Sequence, residues 1–434
     1  MKKFITICLI ATLLLGLSIS SVSAAPEKSV EAAKVMIDGS YLKTDALPII
    51  ENERIMVPMR GIFEALGAEV KWDDKTKTAE ITKGEKKISI TLDKKAATVD
   101  GKEVALDVPA KLIEGNAMVS AKFVGEALAC EVKWDDKRQV VLVNSPFKPV
   151  SIYTYNHYIS FDKIPQKVVS MNSHTTEVML ALELEEKMIG TAYNNAGILP
   201  QYKEKFDKIP ALAEKYPSFE VLLDTEADFV YGRGSVFTSS YKCATMDDMI
   251  ENQIKPYAAK ASYTNNADFN DVYEDFYNLG KIFNIENKAA LFVEDMKAKI
   301  AKVAGAVNGS TPVKVFVYDF GTDKPYTAGK SLETYIIQTA GGKNIFDDID
   351  KTWSYVNWET VVDRNPDYIV INDYGKTTAK EKIEFLKSNP MLQDINAIKN
   401  DNFITVTLSS VFPGIRVAQS VEDIAKGLHP EAFK

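Results

Sequence analysis

"PSFEVLLDTEADFVYG" (residues 217–232) and "SYVNWETVVDRNPDYIVINDYG" (residues 354–375) are two versions of one pattern. Each opens a short helix with a carboxylate in its first turn, Glu220 and Glu359. Each then passes through Asp–aromatic–(Val/Ile) into an uninterrupted apolar run, "DFVYG" and "DYIVIND". A short apolar run without polar alternation, bounded by turn residues, reads as a strand covered on both faces, the kind found in parallel sheets.

The flanking sequence keeps that alternation. "KVVSM" (167–171) and "MIGTA" (188–192) read as strands, and "TTEVMLALELEEK" (175–187) between them as a helix capped by Thr175 or Thr176. From 151 to 434 the expected class is therefore α/β, in two lobes at about 151–265 and 311–434. Between the lobes, in 286–307, Ala289, Phe292, Met296, Ile300, Val303 and Val307 recur at helical spacing. At 1.5 Å per residue that helix spans about 30 Å, enough to bridge two lobes side by side.

The N-terminal third follows another rule. "MVPMRGIFEALGAEVKWDDK" from Met56 and "MVSAKFVGEALACEVKWDDK" from Met118 share 12 of 20 residues, with a period of 62. "IDG" at 37–39 and "VDG" at 99–101 extend the register upstream. This is an internal duplication, each unit reading as strand, loop, short helix and hairpin. Trp72 and Trp134, in the same frame of both units, read as packing anchors. Cys130, which stands where the first unit has Ala68, reads as a small buried residue. Pro146 and Pro149 mark a linker to the α/β region.

The chain of 434 residues is too long for one ordinary domain, and its net charge of −8 is spread without acidic or basic runs. Nothing in it favours nucleic acid. Residues 1–24 have the basic start, apolar centre and small-residue end of a secretory signal, with cleavage expected after Ala24. Cys8 lies inside the apolar part with no small-residue lipobox, so the expectation is a secreted protein, cell-surface or cell-wall associated and not a lipoprotein. Cys130 and Cys243 fall in different predicted domains, so no disulfide framework is expected.

Two resemblances follow from these residues. The duplicated unit, over 34–144, resembles the copper amine oxidase N-terminal-like stalk domain of Firmicute surface proteins. It has no His and a single Cys, so the name implies no copper here. What it implies is a spacer or adhesion module, with contact to the cell wall. The 151–434 region resembles the single-helix-hinged solute-binding proteins of ABC importers that serve iron–siderophore, haem and cobalamin uptake. The residues that carry this are "YTAGKSLETYIIQTAGGKNIFDDIDKTWSYVNWETVVDRNPDYIVI" (326–371), "FPGIR" (412–416) and the terminal "LHPEAF". Family members in Firmicutes are usually lipoproteins, whereas this chain carries a stalk.

The resemblance implies a binding protein with no cofactor of its own, whose ligand is an iron chelate and whose partner is an ABC permease with its ATPase. It also implies that Glu220 and Glu359 dock one lobe each onto arginines of the permease. Only three histidines remain beyond the signal, His157, His174 and His429, which suits a large chelate better than a bare metal ion. Chelate sites use aromatic walls and a few cationic groups. The lobe-edge loops supply Tyr193, Tyr231, Phe237, Tyr241, Tyr326, Trp353 and Tyr355. Arg233 and Arg416 lie in Gly-flanked loops of lobes that hold few arginines, and Arg captures carboxylate or catecholate oxygens bidentately. Lys330 opens a helix after "TAG", where a cation and free amides hold an anion, and His174 opens another at a lobe edge. An enzyme is not expected: the chain has no G-x-S-x-G, no Walker loop and no H-E-x-x-H, and "GRGSVF" (232–237) is not a phosphate loop.

Overall fold

The computed structural model describes residues 33–44, 46–51, 54–238 and 243–434. The expected signal segment 1–24 with Cys8, and Tyr241, lie outside the described residues.

In the duplicated region the two units embrace. The hairpin Ile49–Glu51/Arg54–Pro58 of the first pairs, through Met56–Pro58, with Met118–Ser120 of the second, so the two copies share one four-stranded sheet. Neither copy closes a core alone; Phe63, Leu66, Phe123, Leu128 and Val141 fill a common one. The "IDG" and "VDG" copies are equivalent hairpin turns, with φ of 46° and 79° at Asp38 and Gly39 and 49° and 77° at Asp100 and Gly101. Positive φ at both central residues matches the twist of the flanking strands. Trp72 and Trp134 lean half-buried on the rim of the core and donate through Nε1 to Asp74 and Asp136. Cys130 differs from expectation. It is half-buried at the rim, because it follows the helix end at Ala129 rather than facing the core.

Each lobe of the α/β region holds a parallel sheet. Lobe one runs 211–213, 188–192, 168–171, 229–233, 255–259 in spatial order; lobe two runs 342–344, 313–318, 368–373, 403–407. In both, strand order reverses direction beside the first strand, and ligands bind outside the carboxyl ends at such a switch point. The helix after the first strand is Ser173–Ala181, earlier and shorter than the sequence suggested. Thr175 and Thr176 do not cap it. Thr175 bonds back to the Met171 carbonyl, and Thr176 is buried against Ser170 and Thr191.

The bridging helix Glu286–Ala306 is buried on two faces. Ala289, Val293, Met296, Ile300 and Val303 enter one apolar core that runs through both lobes. Ala290 and Leu291 face the N-terminal domain and pack on Met36 and Val140. Asn287, 1% exposed, accepts from Gly39 N (2.7 Å) and donates to the Val143 carbonyl (2.9 Å). Arg138 pairs with Asp295, and Tyr41 donates to Glu294. A Cβ on Gly39 would stand 3.1 Å from the Glu286 carbonyl, so the turn lies against the start of the helix. The N-terminal domain is thus seated on the bridge.

Candidate functional site

The switch points of the two lobes face each other. In lobe one, Asn172 follows the first strand and Arg233 ends its neighbour. Asn172 holds φ at 97°, costly for a residue with a Cβ, and its side chain repays the strain. Its Oδ1 accepts from Arg233 N (3.3 Å) and its Nδ2 donates to the Tyr216 hydroxyl (2.8 Å). Arg233 Nε donates to that same hydroxyl (3.0 Å). The guanidinium lies 5.7 Å from the Tyr193 ring, 6.0 Å from Tyr216 and 5.6 Å from Phe412 of lobe two. Among the described residues it has no carboxylate partner.

Phe412 is the hub of the aromatic wall. It stacks on His174 (5.2 Å, 22°) on one side and on Trp353 (6.4 Å, 11°) on the other. Trp353 stacks in turn on Tyr326 (5.9 Å, 16°), and Tyr355 and Phe320 continue the row outward. The loop carrying Phe412 comes this close because a Cβ at Gly414 would already stand 3.3 Å from His174 Cβ. His174 is buried with Nε2 unpartnered; burial first, then Arg233 and Arg416, push its pKa down to about 3. It is a neutral imidazole at any physiological pH.

In lobe two, Asp319 follows the first strand and Tyr374 follows its neighbour. The Tyr374 hydroxyl donates to Asp319 Oδ2 at 3.1 Å. Burial raises the Asp319 carboxyl to about 6, against the opposing pull of Lys382. Behind it Asn372 donates to Glu333 Oε2 (3.1 Å), and Lys382 donates to the Asn372 carbonyl.

Arg233, His174, Trp353 and Tyr326 are therefore brought together through Phe412. Three expected residues are not. Tyr231 is fully buried: along its strand Phe229 and Tyr231 face the core, and only the strand end at Arg233 reaches the cleft. Lys330 is paired with Asp350 (3.0 Å), away from the aromatic wall, and its own amide donates to the Lys351 carbonyl rather than standing open for an anion. Arg416 is buried and spent on Glu177 of lobe one. Sequence reasoning missed Asn172, Tyr216, Asp319, Tyr374 and Phe412. The signal was positional, since Asn172 and Asp319 each stand directly after the first strand of a lobe. Glu220 and Glu359 are exposed at the second position of matching short helices.

Comparison with known proteins accords with this geometry. The profile of the copper amine oxidase N-terminal domain matches residues 36–143, and that of the periplasmic binding protein family matches 168–408. The ABC transporter substrate-binding lipoprotein YvrC of Bacillus subtilis is 26% identical over 64% of this chain and 85% of its own length. The lipoprotein MJ0872 of Methanocaldococcus jannaschii is 26% identical over 54% of this chain and 61% of its own. A periplasmic binding protein of Veillonella parvula, solved by crystallography, superposes with a TM-score of 0.61 and 33% identity, covering 65% of this chain and 98% of that one. These relatives overturn one expectation, that of a surface protein that is not a lipoprotein. Two of them are named lipoproteins, which points to a membrane-anchored lipoprotein. The earlier expectation rested only on the residues of 1–24, which lie outside the described structure.

Proposed function

The chain belongs to the periplasmic binding protein family, and we propose that it is the substrate-binding component of an ABC importer that captures a metal chelate, in first place a ferric siderophore, between its lobes. The observation that carries this is Arg233, a cation without a carboxylate partner among the described residues, set in an aromatic wall contributed by both lobes. Such a pairing holds an anionic chelate by charge and its flat apolar faces by stacking. Nothing in the reading requires turnover. Delivery runs through a permease and its ATPase. Glu220 and Glu359 are the docking groups, one carboxylate per lobe.

Quenching of Trp353 fluorescence by a panel of ferric siderophores, haemin and corrinoids tests it. The expected result is saturable binding of a chelate with no chemical change. Silence across the panel, with tight binding of a sugar or an amino acid, overturns it.

A further inference from the structure

The two copies in the N-terminal domain are related by an approximate twofold axis. Val57 pairs with Val119, its own counterpart in the other copy, while Met56 pairs with Ser120 and Pro58 with Met118. The axis repeats a groove. One groove, of about 560 Å³, lies between Arg60, Glu64 and Trp72 of the first copy and Asn116 and Ala117 on the hairpin of the second. The other, of about 360 Å³, lies between Lys122, Glu126 and Trp134 of the second copy and Arg54 and Ile55 on the hairpin of the first. Each of these residues has its counterpart, at the repeat period of 62, in the other groove. Both volumes fall in the range of small-molecule sites, about 300–1,000 Å³.

The copies differ where the fold constrains residues and agree where it does not. Buried Met59, Ile62 and Phe63 stand opposite buried Ala121, Val124 and Gly125. Exposed Glu64, Glu69, Lys71 and Asp74 recur unchanged at 126, 131, 133 and 136, and half-buried Trp72 recurs as Trp134. Exposed positions tolerate substitution with little effect on stability, so packing alone does not account for this identity. The charges lining the grooves are already balanced. Arg60 pairs with Glu64 (3.2 Å), Lys77 with Asp74 (3.4 Å), Lys122 with Glu126 (3.7 Å), Arg54 with Asp107 (2.7 Å) and Lys133 with Glu131. Both indole N–H groups donate to carboxylates, to Asp74 and Asp136. Each groove therefore offers the carbon surface of an indole, rimmed by hydrogen-bonding groups of no net charge.

We propose that the two grooves are paired binding sites for an uncharged polysaccharide, with one sugar ring stacked on each indole. A pyranose with equatorial substituents has an apolar C–H face and a rim of hydroxyls. The face suits the indole, and the rim suits the hydrogen-bonding groups around it. An anionic polymer gains little from cations that are already paired. A polysaccharide repeats its unit, so both grooves engage one polymer and the second contact profits from the effective concentration set by the first. The grooves belong to the N-terminal domain alone, and the chelate-binding reading does not enter.

Electrophoresis of the whole protein in native gels containing glycol chitin, hydroxyethyl cellulose or carboxymethyl cellulose tests this. The wild type is expected to be retarded by one of the two uncharged polymers, and less by the anionic one. Trp72→Leu and Trp134→Leu should each weaken that affinity about tenfold or more, and the double variant should migrate as in a polymer-free gel. The indoles also lean on the core. Glu64→Ala with Glu126→Ala, both at exposed positions, serves if the Trp variants do not fold, and is expected to weaken retardation too. No retardation by either uncharged polymer overturns the proposal, as does stronger retardation by carboxymethyl cellulose. So does undiminished retardation of the double Trp variant or, where that does not fold, of the double Glu variant.

Discussion

Arg416 and Glu177, one from each lobe, form a buried two-pronged ion pair: Nε to Oε2 at 2.7 Å and the terminal nitrogen to Oε1 at 2.5 Å. Side-chain exposure is 9% and 0%. Thr407 Oγ1 and the Gly197 carbonyl accept further bonds from the Arg, and Leu199 N donates to the Glu. The pair therefore fixes the floor of the cleft rather than greeting ligand. Its desolvation was costly, so its removal is asymmetric. Glu177→Ala or Arg416→Ala alone should cost about 3–5 kcal/mol in denaturant unfolding, because each strands a buried charge. Glu177→Leu with Arg416→Met should recover most of that loss. Equal losses in single and double variants would show that packing, not charge, holds the lobes.

Arg233 is the contrasting case. Its neighbours are rings and one hydroxyl, so replacing it breaks no ion pair among the described residues. Arg233→Gln should lower chelate affinity by about tenfold or more, the scale of a charge-assisted hydrogen bond, with little change in melting temperature. Arg233→Lys should recover part of it, since charge returns but the planar stack does not. Trp353 quenching reads the affinity. A large drop in stability with unchanged affinity would make Arg233 structural.

The lobes were legible because parallel strands write themselves as unbroken apolar runs, as in "DYIVIND". The duplication was legible as plain repetition. The site was legible only in part. Arg233 declared itself as a scarce cation at a strand end, whereas Arg416 looked the same in sequence and lies under the cleft, because its partner Glu177 is on the other lobe. No local pattern reports a partner that distant. Tyr231 misled for a related reason. In a strand buried on both faces, neither parity marks the side that holds ligand.

Glu333 and Asp275 are buried carboxyls, each raised to about 8 by burial. A carboxyl raised in the folded state binds its proton there while the unfolded chain has released it. Both groups thus add stability below the unfolded carboxyl range, and that stability is lost as pH climbs from about 4 to about 8. His174, depressed to about 3, acts oppositely: its share is present above about 6.5 and lost as pH falls. Glu333→Gln should flatten the fall in melting temperature between pH 5 and 8. A variant with the wild-type slope would show that Glu333 titrates normally.

Asn287 joins the N-terminal domain to the bridging helix by two buried hydrogen bonds, to Gly39 N and the Val143 carbonyl. Asn287→Ala leaves both backbone groups unpaired and should cost about 1–3 kcal/mol. Chelate affinity should stay within about twofold, since the seat lies on the helix face turned away from the core shared by the lobes. Calorimetry should show the domain and the lobes unfolding closer to independence. Two separate transitions already in the wild type would mean that the seat carries no coupling.

Glu220 and Glu359 lie in corresponding helical turns, Phe219–Asp224 and Trp358–Arg364, one on each lobe, and both are exposed. A carboxylate in a first turn already favours its own helix by about 0.3–1 kcal/mol, and that alone would explain either residue. It would not explain why the two lobes, otherwise different in strand number, place one each in the same context. Two exposed like charges on a rigid body speed and orient encounter with a basic partner while adding little affinity. Replacing both by Ala should abolish uptake in cells, leave chelate affinity unchanged and shift the melting temperature by no more than the helix-terminus effect. Charge reversal to Lys should abolish uptake as well, and complementary acidic substitutions on the permease should restore transport to the Lys variant but not to the Ala variant. Normal uptake by the double Ala variant would leave the two carboxylates with only their helix-terminal role.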